Sequence, residues 1–148
     1  MLRSILMGLV AGQRSMAPLA ALADAARRGA LPHDTAGARL MRLPLVATGG
    51  VAMAMAEMAG DKMQTAPDRT VFLGLLARTI TGGFAGAALA PPRRQATGAV
   101  LGVGAAVASS YFGLAARKRA MQHASQTSTG FLEDAVILAA AVAIARAR

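Results

Sequence analysis

The chain has 148 residues, of which 55% are hydrophobic, 16% are charged and 3% are aromatic, and its formal net charge is +9. Soluble domains usually carry about 25% charged residues, so the composition predicts a membrane protein of one domain. Cysteine is absent, which excludes disulfides, thiolate metal sites and thiol nucleophiles. The positive charge does not predict a nucleic-acid partner, because almost no aromatic side chain is available to stack on a base.

Five apolar segments of roughly membrane-spanning length follow one another between clusters of arginine and lysine. They comprise residues 5–26, 45–60, 71–90, 98–116 and 131–145. We therefore expect an all-α membrane bundle of about five apolar helices, in a single integral membrane domain that includes residues 1–148. If every segment crosses the membrane, six basic residues lie on one side and eight on the other, a division too even to orient the chain.

The first segment contains Gln13, Arg14 and Pro18 in its interior. A signal peptide is the alternative for this segment, but the polar pair interrupts its apolar core too early. Proline inside a helix removes one backbone hydrogen bond and clashes with the carbonyl four residues before it, here that of Arg14. The first helix is therefore predicted to be kinked or discontinuous. Residues 29–42 are predicted to form a short interfacial helix or a loop, and residues 122–129 a polar loop.

Several segments carry glycines four residues apart, a spacing that lets helices approach closely in lipid. These pairs are Gly8 with Gly12, Gly82 with Gly86, and Gly98 with Gly102. They predict a compact bundle or a homodimer contact through small-residue helix faces. The first and third pairs are 90 residues apart, which also predicts an internal repeat of the kind found in transporters.

Glu57 and Asp61 are four residues apart and share one helix face if the helix continues that far. Two acids at the C-terminal end of a helix oppose the helix dipole, which favours cations there. They therefore need a partner: Lys62, which neutralises Asp61, a proton, or a hard metal ion such as Ca²⁺, Mg²⁺ or Mn²⁺ bound by both carboxylates.

Glu133 and Asp134 open the last apolar segment, where the dipole favours acids and a capping role is sufficient. Segments that alternate in direction bring these two residues to the same membrane face as Glu57 and Asp61, and the four carboxylates together predict a polar binding site.

Two arginines, Arg14 and Arg78, lie inside apolar segments. Arginine within a membrane pairs with an acid or faces a cavity and binds an anionic group such as a phosphate. Both interpretations stay open, and pairing with the carboxylates is the one we expect.

The motifs of the chain resemble a bacterial membrane family, the one called domain of unknown function 4126. The resemblance is carried, in the family's order, by residues 12–18 (GQRSMAP), 57–62 (EMAGDK), 66–69 (APDR), 78–83 (RTITGG) and 132–134 (LED). It covers nearly the whole chain and implies a multispan protein of the inner membrane, with no established activity.

A more local similarity concerns residues 57–62 alone. Manganese/calcium–proton exchangers carry Glu-x-Gly-Asp-Lys/Arg-Ser/Thr at the corresponding place. Here one additional residue separates Glu57 from Gly60, and Met63 replaces the hydroxyl residue.

We expect a small membrane transporter or channel that is not an enzyme, with a carboxylate-lined site for a cation or protons. The binding residues would be Glu57, Asp61, Lys62, Glu133 and Asp134, with Arg14 and Arg78 balancing the charge. The alternative is a non-transporting membrane protein that binds anionic lipid or a protein partner, in which these residues form structural salt bridges. A membrane enzyme acting on a lipid phosphate is a third interpretation.

Overall fold

The computed structural model describes residues 1–31, 34–60, 72–120 and 126–147, and for residues 60, 116–120 and 126–133 it describes the backbone only. This part of the chain forms seven α-helices and no strand, which confirms the predicted all-α class. The helices are α1 (Leu2–Gln13), α2 (Ala17–Arg27), α3 (Ala36–Met41), α4 (Pro44–Gly60), α5 (Phe72–Leu89), α6 (Gln95–Ala120) and α7 (Gln126–Arg146).

The first apolar segment forms two helices instead of one. Arg14 has an extended backbone, with φ −138° and ψ 110°, and ends α1. The next helix begins at Ala17 and carries Pro18 in its first turn, where a helix needs no N–H from that residue. The predicted discontinuity is therefore confirmed, and proline marks the start of the second helix.

The two outer ends of this segment lie at the same place on α7. Arg3, at the start of α1, donates a hydrogen bond to the carbonyl of Ala145 over 2.7 Å. Asp24, near the end of α2, accepts a hydrogen bond from Nε of Arg146 over 3.0 Å. Both contacts are made at the C-terminal end of α7. The start of α1 and the end of α2 therefore lie at the same end of the bundle, which we call the terminal end.

The break between α1 and α2 lies farther along α7. Arg14 pairs there with Asp134, which precedes the Ala145 contact by about 16 Å of helix. The chain therefore runs away from the terminal end along α1, reverses at the break and returns along α2. We call α1 and α2 together the hairpin, and residues 14–16 its tip.

The reversal corrects the expectation that residues 5–26 pass through the bundle once. The two helices have 12 and 11 residues and are about 18 and 17 Å long. Neither is long enough to cross a hydrocarbon core of about 30 Å. The sequence indicates the break but not the change of direction, because a proline is compatible with either a kink or a reversal.

The remaining long helices alternate in direction around the hairpin. In α4, Gly50 packs on Leu19 of α2, and Glu57 at its other end contacts Ser15 at the tip. α4 therefore runs antiparallel to α2 and ends beside the tip. The predicted juxtaposition of Glu57 with Asp134 at one level of the bundle follows from this arrangement.

The predicted glycine spacing is used for packing inside one chain. A methyl group on Gly86 of α5 would overlap the carbonyl of Gly98 on α6, and one on Gly8 of α1 would overlap the carbonyl of Gly102. The three helices approach closely at these positions, as small residues permit. These glycines therefore pack within the chain, and a homodimer contact stays a prediction.

Two other expectations concern shorter features. A short helix does form within residues 29–42: it is α3, and Oγ1 of Thr35 accepts the N–H of Ala38 at its start over 3.1 Å. The predicted loop at residues 122–129 is wrong in its second half, because α7 begins at Gln126. Glu133 and Asp134 consequently lie in the third turn of α7, and a first-turn capping role for them is excluded.

Among the residues that the structure describes, two helices are long and apolar enough to cross a membrane: α5, and the stretch Gln95–Ala115 of α6. A third apolar stretch, Pro44–Ala59 in α4, is shorter. A core helix of a soluble protein can share this length and composition, but here Ile80 and Phe112 are 62% and 77% exposed. Large apolar patches on a surface mark contacts with lipid or with other proteins, so these helices indicate association with a membrane.

Candidate functional site

The tip of the hairpin contains backbone groups that neither helix can satisfy. The first N–H groups at the start of a helix have no partner within the helix. Glu57 of α4 supplies one: its Oε1 accepts the N–H of Ser15 over 2.8 Å and the Ser15 hydroxyl over 2.6 Å. Its Oε2 accepts the N–H of Met16 over 2.8 Å. A single carboxylate thus accepts three hydrogen bonds at the N-terminal end of α2, where the helix dipole favours negative charge.

An ion pair holds the other side of the tip. Nη2 of Arg14 lies 2.5 Å from Oδ1 of Asp134, and the two side chains are only 2% and 9% exposed. Removing two charges from water is costly, and removing one partner of a buried pair leaves the other charge without compensation. Arg14 was predicted to pair with one of the carboxylates, and Asp134 is that carboxylate.

Hydroxyl and amide groups complete the tip on the side of α6. Oγ of Ser109 donates to the carbonyl of Leu9 over 2.7 Å, and Oγ of Ser110 donates to that of Gly12 over 3.2 Å. The Gln13 amide donates to the backbone carbonyl of Ser109 over 2.8 Å. The last four carbonyls of a helix, here including that of Gly12, have no partner within it. α6 therefore binds the end of α1 while α4 binds the start of α2.

Arg78 lies on α5 at the same level of the bundle. It precedes Gly82 by one turn, and Gly82 packs against Ala106 of α6. Because α5 and α6 are antiparallel, Arg78 is level with Ser110, which contacts the tip. The Arg78 side chain is buried, with 5% of its surface exposed. Two arginines from different segments are therefore buried at one depth of the bundle.

The structure brings part of the predicted site together. Glu57, Arg14 and Asp134 meet at the tip, and Arg78 is buried at the same level. Asp61 and Lys62 lie outside the described residues, as does the side chain of Glu133, so the four-carboxylate cluster and the Glu57–Asp61 metal site stay predictions. Within the described ranges, no three or more His, Cys, Asp or Glu residues are grouped so as to hold a metal ion.

The residues that receive these groups were not predicted from the sequence. Ser15 binds Glu57 through its backbone and its hydroxyl, and Ser109 and Ser110 bind α1. The adjacent serines were a usable signal, because hydroxyls inside an apolar helix of a membrane protein usually bond to a neighbouring helix. No local signal pairs Ser15 with a glutamate 42 residues later, since that contact depends on how the hairpin packs against α4.

Comparison with known proteins adds no assignment: no protein-family model, no curated protein and no solved structure matches this chain. The resemblance to the family called domain of unknown function 4126 therefore stays a prediction.

Proposed function

We propose that the protein is a small multispan transporter or channel of the bacterial inner membrane, and that Glu57 is the group that takes up and releases protons. The observation that carries this proposal is the bonding of Glu57. Its carboxylate joins α4 to the non-helical tip of a hairpin, and that hairpin is packed among helices of membrane-spanning composition.

The position of the break supports transport. Irregular backbone at membrane depth is tolerated only where protein surrounds it or where it lines a water-filled cavity. In many transporters, helices broken near the middle of the bilayer form the substrate site, because their ends offer N–H and carbonyl groups that have no helical partner. The tip at Arg14 has both kinds of group: α6 binds its carbonyls, and Glu57 binds its N–H groups.

The hydrogen-bond donors around Glu57 disfavour a metal cation. All three described partners of the carboxylate are hydrogen-bond donors, two from the backbone and one from Ser15. A metal ion needs oxygen lone pairs, and here it would face the positive ends of those donors. A proton bonds to one carboxylate oxygen and requires no further ligand.

Protonation also supplies a mechanism for movement. A carboxylate only accepts hydrogen bonds, whereas a protonated carboxyl has a donor of its own and less acceptor capacity. A proton on Glu57 takes one acceptor site and weakens the others, so the three bonds from Ser15 and Met16 weaken and the end of α4 separates from the tip. Release of the proton restores the three bonds. The Arg14–Asp134 ion pair holds the tip on α7 throughout this cycle.

A second candidate function is favoured by the burial of that ion pair. In a non-transporting membrane protein that binds anionic lipid or a protein partner, Arg14 and Asp134 would serve only to fix the hairpin, and Glu57 only to cap α2. A pair whose side chains are 2% and 9% exposed has the burial expected of such a structural contact.

Proton flux into liposomes distinguishes the two candidates. The purified chain is reconstituted around a pH-sensitive dye, and a potassium gradient with valinomycin supplies the driving force. We expect proton flux with the native chain and flux at the level of empty liposomes with Glu57→Gln, which keeps the shape of the side chain but cannot titrate.

The matched control is Asp24→Asn, which also replaces a carboxylate by an amide but lies at the terminal end, where Asp24 contacts Arg146 and Arg28. It should conduct protons like the native chain. Equal proton flux with Glu57→Gln and the native chain would overturn the role of Glu57. Absence of flux for protons and for Na⁺, K⁺, Ca²⁺ and Mn²⁺ with the native chain would favour the second candidate.

A further inference from the structure

Two arginine-bearing elements adjoin at the terminal end of the bundle. The start of α3 lies against the end of α5: the Thr35 hydroxyl donates to the Ala88 carbonyl over 3.3 Å, and Gly37 packs against Ala88 and Phe84. The turn from α5 to α6, at residues 91–94, begins three residues after Ala88. The short helix and the turn therefore occupy neighbouring positions on the same end.

Each of these elements presents a pair of arginines to the surroundings. Arg39 and Arg42 on α3 have side chains 65% and 47% exposed, and Arg93 and Arg94 in the turn are exposed. We call these four residues the arginine patch. Among the described residues of the two elements, Asp34 is the acid, and it lies 3.6 Å from Arg39 and 2.9 Å from Arg42. The patch is strongly positive, since it contains four guanidinium groups and Asp34 pairs with two of them.

Arg93 also adopts a backbone conformation that disfavours it. Its φ is 69°, in the left-handed region that glycine occupies most easily. An arginine at a strained turn position presents a long cationic side chain at a conformational cost that glycine would avoid. This conformational cost favours a functional role for the Arg93 side chain. The location of the patch identifies the partner.

If α5 and α6 span a membrane, as their length and composition indicate, the patch lies at the depth of lipid headgroups. The turn joins α5 to α6, the two helices of membrane-spanning length and composition, so its arginines lie where those helices leave the hydrocarbon. On α3, Ala38 and Met41 are buried, whereas Leu40 is 43% exposed beside Arg39. Apolar and cationic side chains that point outward together are typical of a helix in the membrane interface.

We propose that the arginine patch binds the headgroup of an anionic phospholipid, with Leu40 and the following Leu43 against the upper part of its acyl chains. Guanidinium groups bind phosphate through two parallel hydrogen bonds, and each basic residue near an anionic membrane surface favours binding by about fivefold in affinity. Exposed leucines among the arginines favour a lipid over a soluble acidic partner. This inference does not depend on proton transport.

The test titrates lipids into the detergent-solubilised chain and counts bound molecules by native mass spectrometry. Phosphatidylglycerol should bind more tightly than zwitterionic phosphatidylcholine, and added salt should weaken that preference. Arg39→Gln with Arg42→Gln should reduce phosphatidylglycerol affinity by about 25-fold, at about fivefold per arginine. Arg93→Gln with Arg94→Gln should act similarly. Arg39→Lys with Arg42→Lys is the charge-preserving control and should retain most of the affinity.

Asp34→Asn supplies a change in the opposite direction. It frees Arg39 and Arg42 from their carboxylate, so phosphatidylglycerol affinity should rise, a result that partial unfolding would not produce. Equal binding of the two lipids to the native chain, or unchanged affinity in both glutamine double variants, would overturn the proposal. Full competition by free glycerol phosphate would assign the patch to a soluble anion and would also overturn it.

Discussion

Nη2 of Arg14 lies 2.5 Å from Oδ1 of Asp134, and this buried contact fixes the tip of the hairpin to α7. The two residues are far apart in sequence and come from segments that were each expected to cross the membrane. Their pairing brings a charged side chain from the first segment to the third turn of the last helix. The hairpin, the position of Glu57 and the proposed function all depend on where this tip lies.

The ion pair predicts a strongly non-additive pair of mutations. Arg14→Met or Asp134→Leu alone leaves a buried charge without its partner and should destabilise the fold by about 3–5 kcal/mol. The double variant removes both charges and should cost less than the sum of the two single changes. Thermal unfolding in detergent, followed by circular dichroism, measures all three. A double variant that costs the full sum would show that the two side chains do not depend on each other.

The bonds of Glu57 predict an order of effects at the tip. Ser15→Ala removes one hydroxyl donor to a charged acceptor and should cost about 1.5–3 kcal/mol. Glu57→Ala leaves the N–H groups of Ser15 and Met16 without their acceptor and should cost more than Ser15→Ala. The same unfolding assay ranks the two variants. Equal stability losses would mean that the backbone N–H groups find other acceptors when Glu57 is absent.

The packing of α5 on α6 predicts opposite outcomes for two glycines. Gly86→Ala places a methyl group on the carbonyl of Gly98 and should destabilise by about 1–3 kcal/mol. Gly104→Ala on α6 meets no other atom within 4 Å and should be neutral or stabilising, because alanine favours helix by up to about 1 kcal/mol over glycine. Comparable losses at both positions would contradict the close α5–α6 contact.

The helices could be predicted from the sequence because apolar periodicity and proline act locally. Residues 45–60 and 71–90 correspond closely to α4 and α5, and the break near Pro18 is where the sequence indicated it. The start of α7 was misplaced because the polar residues 126–129 resemble a loop, yet they form the first turn of a helix.

The direction of the chain after the break could not be predicted. A reversal at Arg14 depends on three partners from other helices: Asp134 on α7, Glu57 on α4 and the serines of α6. The individual residues were identified as exceptional because charges are costly in an apolar segment. Which arginine meets which acid is decided by tertiary packing. The division of six basic residues against eight assumed that residues 5–26 cross, and the reversal moves Arg3 to the side that already held eight.

The reversal changes that division. With α1 and α2 as a hairpin, Arg3 joins Arg27 and Arg146 on the side of the terminal end. The described arginines of that end are Arg3, Arg27, Arg28, Arg39, Arg42, Arg93, Arg94 and Arg146. Cytoplasmic segments carry an excess of arginine and lysine, so the terminal end is expected to face the cytoplasm.

The most direct test of this structure is to determine on which side of the membrane the two ends of the hairpin lie. The chain contains no cysteine, so single cysteines at Leu2, Arg27 and Ala147 can each be labelled with a membrane-impermeant maleimide in oriented membrane vesicles. Labelling after detergent treatment gives the total for each variant. We predict that all three positions react from the same side, the cytoplasmic one. Reaction of Leu2→Cys and Arg27→Cys from opposite sides would show that residues 5–26 cross the membrane and would contradict the hairpin.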